Sequence, residues 1–450
     1  MNPWGKEPRS GKGQRRPERR GEENNPGPGK AAEGSQEMKW FGKRTGEFGG
    51  VELFKYLGPG FLVTVGFIDP GNWAANVAAG SNYGYSLLWM VSLSTLMLIL
   101  LQHNAAHMGI VTGLCLSEAC SKYFGRGVSG VILGSAVGAS VSTALAEVLG
   151  TAIGLNMLFG LPLAAGAVLS SGLVLYLLFS NSYPRLEKWI LGFVSLIGIA
   201  FLLEMSMVKI PWSEAARAWV VPSFPAGSIP IVMSVLGAVV MPHNIFLHSE
   251  VIQSRQWNTQ GEEVIQKQLK FEFADTLSAM IVGWAINSAM ILVAAAVFHT
   301  HGVVVTELPQ AQATLKPLVG SAAAVIFALA LLFSGFSSSI TAGMAGGSIF
   351  AGIFQKPFDS SERHSRIGIY VTLFSALGII LFLQDPFQGL LWSQIILSIQ
   401  LPLTIVPLIL LTSSSRVMGQ YANTPGNQIL LWTVAAVVVF LNVMLLVQLW

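Results

Sequence analysis

The chain predicts an all-α integral membrane protein of eleven transmembrane helices, and three observations lead there. Only 11% of its 450 residues are charged while 52% are apolar, whereas a soluble domain carries about 25% charged residues. Eleven stretches reach the ~20 apolar residues that a helix needs to cross a ~30 Å hydrocarbon core. Basic residues are also sorted by side: with the N-terminus in the cytoplasm, the inner segments collect 23 Lys and Arg, and the outer loops only Lys209, Arg217 and Lys316. That asymmetry obeys the positive-inside rule, and one helix missed or invented would scramble it. The runs are too long and too unalternating for barrel strands, so their backbone polar groups must be satisfied within helices. The net charge of +3 thus reports topology, and no nucleic-acid partner is expected.

In chain order, residues 1–50 are rich in Gly, Pro, Glu and Arg, with Arg15, Arg16, Arg19 and Arg20 as the densest basic patch. This segment is read as a disordered, solvated cytoplasmic tail, without the apolar stretch of a secretory signal. Residues 51–450 form the transmembrane domain. Its spans are expected near 58–80, 86–110, 128–158, 162–180, 188–208, 228–249, 272–298, 317–345, 367–384, 387–411 and 428–449. Cys115 and Cys120 fall in the cytoplasmic connection between the second and third spans, where thiols stay reduced, so no disulfide framework is expected.

Two spans are interrupted. The first carries Asp69-Pro70-Gly71-Asn72 in its middle, and the sixth carries Met241-Pro242-His243-Asn244 at a similar depth. Proline removes a backbone donor and blocks the preceding turn, and glycine relaxes the chain, so both helices should unwind there. Breaks at the first position of two five-helix groups predict inverted repeats: spans 1–5 and 6–10 form the halves, with span 11 appended. Because five is odd, the second half enters the membrane from the opposite side, and the breaks face each other near the midplane.

The chemistry at the breaks suits a cation. A carboxylate deep in a span costs at least about 2.5–3.5 kcal/mol on insertion scales, so Asp69 needs compensation. Asn72 offers an amide oxygen, Met241 a polarizable thioether, and the freed carbonyls around Gly66 and Ala238 add hard oxygens. That mixture of soft and hard donors fits Mn²⁺, Fe²⁺, Co²⁺ or Cd²⁺ better than Ca²⁺ or Mg²⁺.

These residues carry a family resemblance. The DPGN of Asp69 to Asn72, the MPHN-IFLHS run from Met241 to Ser249, the ALAEVLGTAIGLN stretch around Glu147 and the SQIILSIQLP segment around Gln394 resemble the natural resistance-associated macrophage protein (NRAMP) family of proton-coupled divalent metal transporters. The likeness runs over most of residues 55–415. It implies the LeuT-like fold shared with bacterial amino-acid/sodium symporters and secondary active import of Mn²⁺ and Fe²⁺, with Co²⁺ and Cd²⁺ also accepted. It also implies metal ligation by Asp69, Asn72, Met241 and the Ala238 carbonyl, with the Gly66 carbonyl and Gln394 as further ligands in some conformations. The metal is cargo, so no cofactor is expected. The partners are the metal, protons and the lipid bilayer, and the chain is expected to work as a monomer in the cell membrane.

One position departs from the family's pattern. The third helix usually carries an acid three residues before Glu147, where this chain has Ala144. Glu147 and His243 remain to pass a proton inward from Asp69, with Arg366 of the ninth span as counter-charge. Coupling is therefore expected to be looser or rerouted, with metal uptake kept.

Other polar residues receive plainer readings. His103 and His107 lie four apart on one helical face, with no acid seen nearby in sequence, and read as interfacial or packing histidines. His248 is expected to line the cytoplasmic exit. Three competing functions are weighed. A sodium-coupled amino-acid symporter of the same fold fits poorly, because Asp69 would repel the substrate carboxylate. A membrane metalloenzyme would need a fuller His/Asp/Glu ligand set, and a non-transporting metal sensor would need a signalling domain that the short inner loops do not supply.

Overall fold

The computed structural model describes residues 68–180, 205–318 and 321–449, with isolated positions between 192 and 203. The tail, Gly66 and most of the expected fifth span (188–208) lie outside the described residues. The described chain forms fifteen α-helices and, among the described residues, no strand. They are α1 (Pro70–Tyr83), α2 (Leu88–Thr112), α3 (Leu116–Tyr123), α4 (Arg126–Phe159), α5 (Leu163–Ser180), α6 (Trp212–Ala218), α7 (Ile229–Val239) and α8 (Pro242–Gln253). After these come α9 (Glu262–Val297), α10 (Leu308–Leu318), α11 (Ser321–Ile353), α12 (Arg363–Phe382), α13 (Pro386–Thr412), α14 (Ser415–Met418) and α15 (Pro425–Leu449).

Nine segments among the described residues are long and apolar enough to cross a membrane. They correspond to the second to fourth and sixth to eleventh expected spans, and α1 is the second half of the first. Most boundaries fall close to those expected, with two differences. The seventh helix starts at Glu262 instead of 272 because a charged extension with Lys267 and Lys270 precedes its apolar run. Glu262 and Glu263 in its first turn complement the helix dipole there. The eighth runs to Ile353, well past the expected 345. Two helices stop on glycines in the left-handed region, α2 at Gly113 (φ 66°) and α4 at Gly160 (φ 68°), where a Cβ would be strained.

The sixth span is broken as expected. Helix α7 ends at Val239, Val240 and Met241 are non-helical, and α8 restarts with Pro242 at its first position. The contacts give the directions of the half-helices. A Cβ built on Gly227, just before α7, would stand 3.6 Å from the Tyr83 hydroxyl at the end of α1, and Gly84 abuts His299. At the other face, Gly113 meets Asn258, just beyond α8, and Gly109 meets Ser249 and Ile252 of α8. From their breaks, α1 and α8 therefore run to opposite faces.

The interrupted segments sit in the centre of the bundle. Every residue of α8 is buried, as is nearly all of α7. By contrast α5, α12 and α15 turn Val168, Leu169, Phe374, Phe382, Phe440 and Val447 outward, an apolar surface suited to lipid. Small residues let backbones meet: Gly150 of α4 receives the ring of Pro70, and Gly335 of α11 lies against Thr151 and the Glu147 carbonyl.

Helix α3 was not read from the sequence because its eight residues are not an apolar run. Its Leu116 N–H donates to Ser249 Oγ at 2.8 Å, and Gln253 Nε2 donates to Glu118 Oε2 at 2.5 Å. These bonds pin α3 beneath α8. Burial pushes up the Glu118 carboxyl and both the Cys115 and Cys120 thiols, which are buried and free.

Candidate functional site

The site grows from the first break. Asp69 is the N-cap of α1, with extended backbone, and its Oδ1 accepts the Asn72 backbone N–H at 2.6 Å. An Asp at this position satisfies an orphan donor of the first turn and sits at the positive end of the helix dipole. The DPGN run is thus a half-helix start: carboxylate cap, proline at the first position, then Asn72 facing back to the cap.

The second break supplies a carbonyl for a reason its sequence dictates. Ala238 lies four residues before Pro242, which has no N–H, so the Ala238 carbonyl has no helical partner. Asn72 Nδ2 fills that gap, donating to Ala238 O at 2.8 Å and to Asp69 Oδ1 at 2.6 Å. One side-chain amide therefore bridges the two breaks, although 166 residues separate them. Asp69 Oδ2 and Asn72 Oδ1, the amide's one oxygen, are both buried without a hydrogen-bond partner. Unpaired buried acceptors cost about 1–3 kcal/mol each, more for a charge.

Met241 is wholly buried at the same break, and its Sδ accepts a weak contact from Asn244 Nδ2 at 3.4 Å. Gln394 of α13 lies on the other side: a Cβ on Gly71 would collide with the Gln394 amide, and one on Gly237 with the Gln394 backbone carbonyl. Its Nε2 donates to Ser393 Oγ at 3.0 Å, and its Oε1 is buried and unpaired. Asp69, Asn72, Ala238, Met241 and Gln394 are thus gathered on the elements around the two breaks, while Gly66 falls outside the described residues.

Of the expected proton-path residues, Glu147 of α4 is buried and interacts with the Asp69 carboxyl. Its Oε2 accepts from Ser338 of α11. His243 is buried in the first turn of α8, with Nδ1 unpaired. Arg366 is placed elsewhere, its guanidinium 4.9 Å over the Phe179 ring. Ala144 is fully buried.

Sequence reasoning missed Ser334 and Ser338. Ser334 Oγ donates to the Ile68 carbonyl, and Ser338 to Glu147. The run Ser337-Ser338-Ser339 inside an apolar span, with Ser334 one turn before, was the available signal. The reading of His103 and His107 needs correction: an acid does lie beside them. Glu272 of α9 has Oε2 2.6 Å from His103 Nδ1, a contact across 169 residues that no local spacing reveals.

Comparisons with known proteins identify the family. A family model described as "Natural resistance-associated macrophage protein-like" matches residues 60–448. The chain belongs to the NRAMP family. Its members are transporters and not enzymes. The chain is 38% identical over 404 residues, 88% of its length and 94% of the relative's, to the "Divalent metal cation transporter MntH" of Caldanaerobacter subterraneus. The crystal structure of an Eremococcus coleocola manganese transporter superposes with a TM-score of 0.77 at 27% identity, covering 89% of this chain and 88% of that one. The nucleobase-cation-symport-1 transporter MHP1, with a TM-score of 0.58 at 16% identity over 78% and 77% of the two chains, shares the fold alone. This NRAMP member is an all-helical, multi-pass membrane protein.

Proposed function

We propose that this protein is a secondary active importer of divalent transition metal ions, Mn²⁺ and Fe²⁺ foremost, with Co²⁺ and Cd²⁺ accepted. It works in the cell membrane as a monomer with its N-terminus in the cytoplasm, and the 23-to-3 partition of basic residues supports that orientation. The observation that carries the reading is the Asn72 amide bridging Asp69 and Ala238 while Asp69 Oδ2 and Asn72 Oδ1 stay buried and unpaired. The amide's two N–H groups occupy the position that a cation would take between the same two oxygens. Rotation of that amide by half a turn replaces its donors with an oxygen, so carboxylate, amide oxygen and Ala238 carbonyl become one acceptor set.

Met241 adds the soft donor, which favours Mn²⁺ and Fe²⁺ over Ca²⁺. Gln394, seated on Gly71, is a further ligand that can swing in, and the Gly66 carbonyl completes the proposed set. Coupling to protons is proposed from Asp69 meeting Glu147: neighbouring carboxyls favour holding a proton, and proton and metal compete for the same oxygens. His243 is the nearby base, and Arg366 the proposed counter-charge farther along. With Ala144 in place of an acid on α4, coupling is looser or leaves by another route.

The test is Mn²⁺ uptake into proteoliposomes. Wild type should concentrate Mn²⁺ when the outside is acidic, and Asp69→Ala should reduce uptake to the empty-liposome rate. Uptake retained in Asp69→Ala overturns the assignment.

A further inference from the structure

Outside the metal site, the most unusual buried polar group lies where α2, α8 and α9 meet. The His248 side chain is only 1% exposed, and its Nδ1 is 2.6 Å from Gln102 Oε1, which is an acceptor, so Nδ1 carries the proton. Nε2 is then the basic nitrogen of the neutral ring. It is buried, has no hydrogen-bond partner, and points at Glu272 Oε1 3.9 Å away. Thr276 Oγ1 donates to that same oxygen at 2.6 Å. The other oxygen, Oε2, is 2.6 Å from His103 Nδ1, and the His103 side chain is 34% exposed. His103 in turn stacks on His107 at 6.2 Å, and His107 packs edge-on to Tyr421.

A carboxylate thus stands between a sealed imidazole and an exposed one. Among the described residues, the titratable groups around it are His103 and His107 from α2, His248 from α8, Asp275 one turn on along α9, and Tyr421 beyond His107. His248 lies seven residues past Met241, about 10 Å along the helix from the metal site and toward the basic end of the bundle. No mechanism for the metal alone uses these groups.

We propose that His248, Glu272 and His103 form a proton-release relay, the route by which protons leave in the absence of an acid at position 144. This rests on the proton-coupled reading above. A proton arriving at His248 Nε2 forms an N–H bond and passes to Glu272 Oε1. The neutral Glu272 carboxyl then turns about its Cγ–Cδ bond to carry that O–H to the His103 side, hands the proton to Nδ1 and is again a carboxylate, and the His103 imidazolium releases its Nε2 proton to water. Each bond made is matched by one broken, so one proton crosses and His248 returns to its starting tautomer; His103 resets by proton exchange with water.

The experiment is paired measurement of Mn²⁺ entry and proton entry in proteoliposomes holding a pH-sensitive dye, for wild type, Glu272→Gln, His103→Gln and the conservative Glu272→Asp. A positioned proton-transfer group is worth about 10²–10⁴ in rate, so protons per Mn²⁺ should fall roughly tenfold or more in Glu272→Gln and His103→Gln. Mn²⁺ entry should fall much less, and Glu272→Asp should recover part of the proton flux. A wild-type proton ratio in a variant that still takes up Mn²⁺ overturns the relay. Should Glu272→Gln lose Mn²⁺ entry as well, His103→Gln decides, since its partly exposed ring can be replaced without opening the core. If wild type itself moves no protons with Mn²⁺, the coupled reading and the relay fall together. If wild type couples and the variants couple equally well, the relay alone falls.

Discussion

Two glycines report on how tightly α1, α7 and α13 pack around the proposed metal site, and their substitutions should fail in different ways. At Gly237 on α7, a Cβ would overlap the backbone carbonyl of Gln394 and stand 3.0 Å from the Ser398 nitrogen. Neither atom can rotate away, so α7 and α13 must part. Overpacking of this kind costs about 1–3 kcal/mol, and rigid backbone on both sides places it at the top of that range. Alanine returns about 1 kcal/mol of helix propensity, leaving a net loss near 2 kcal/mol. At Gly71 the obstacle is the Gln394 amide, the far end of a flexible side chain. Moving it gives up the bond to Ser393, about 0.5–1.5 kcal/mol, which the propensity gain offsets. At roughly 2–4 °C per kcal/mol for a large domain, Gly237→Ala should lower Tm by about 4–8 °C, and Gly71→Ala should leave it nearly unchanged. Gly71→Ala should instead slow Mn²⁺ uptake, because Gln394 is driven off its seat. Thermal unfolding of the purified proteins by tryptophan fluorescence, with uptake run beside it, reads both. A Gly237→Ala protein as heat-stable as wild type, or a Gly71→Ala protein less stable than Gly237→Ala, refutes the packing of Gln394 described here.

Two further outcomes are expected. Met241→Ala should keep measurable Mn²⁺ uptake but lose much of the discrimination against Ca²⁺, visible as stronger Ca²⁺ competition, because oxygen donors alone favour the harder ion; an unchanged Ca²⁺ competition curve contradicts the ligand role. Outside the membrane, Lys356 and then His364 hold the Glu362 carboxyl at about 2, below its ordinary 4.5. A depressed folded-state value contributes stability above the unfolded value and loses it as pH falls through the window between about 4.5 and about 2. Glu362→Gln should therefore show a shallower loss of Tm between pH 5 and pH 2 than wild type, and parallel curves contradict the assignment.

Much of the architecture was legible because its causes are local. Each long span is a run of apolar residues, and each break is written as a proline beside residues with a chemical purpose. Pro242 also explains why the Ala238 carbonyl is free, a consequence of the four-residue hydrogen-bond period alone. The meeting of the proposed ligands was legible for the same reason, since Asp69 and Asn72 share one turn and Met241 abuts the second proline. What stayed hidden depends on partners distant in sequence. Glu272 meets His103 and His248 only because α9 packs against α2 and α8, so the pair His103 and His107 looked acid-free from its own helix. Ser338 was passed over because a serine in a span usually bonds its own helix, and it does so here too, to the Ser334 carbonyl, while also reaching Glu147. The charged start of α9 was missed because a hydropathy window records only the apolar part of a helix that continues beyond the bilayer.

The measurement that bears most directly on the central claim is an anomalous difference map from crystals soaked in Mn²⁺ and collected at the manganese edge. The account predicts one dominant peak enclosed by the Asp69 carboxylate, the Asn72 amide oxygen, the Ala238 carbonyl and the Met241 sulfur. A dominant peak away from those four groups, with the Asn72 amide still bridging Asp69 and Ala238, contradicts it.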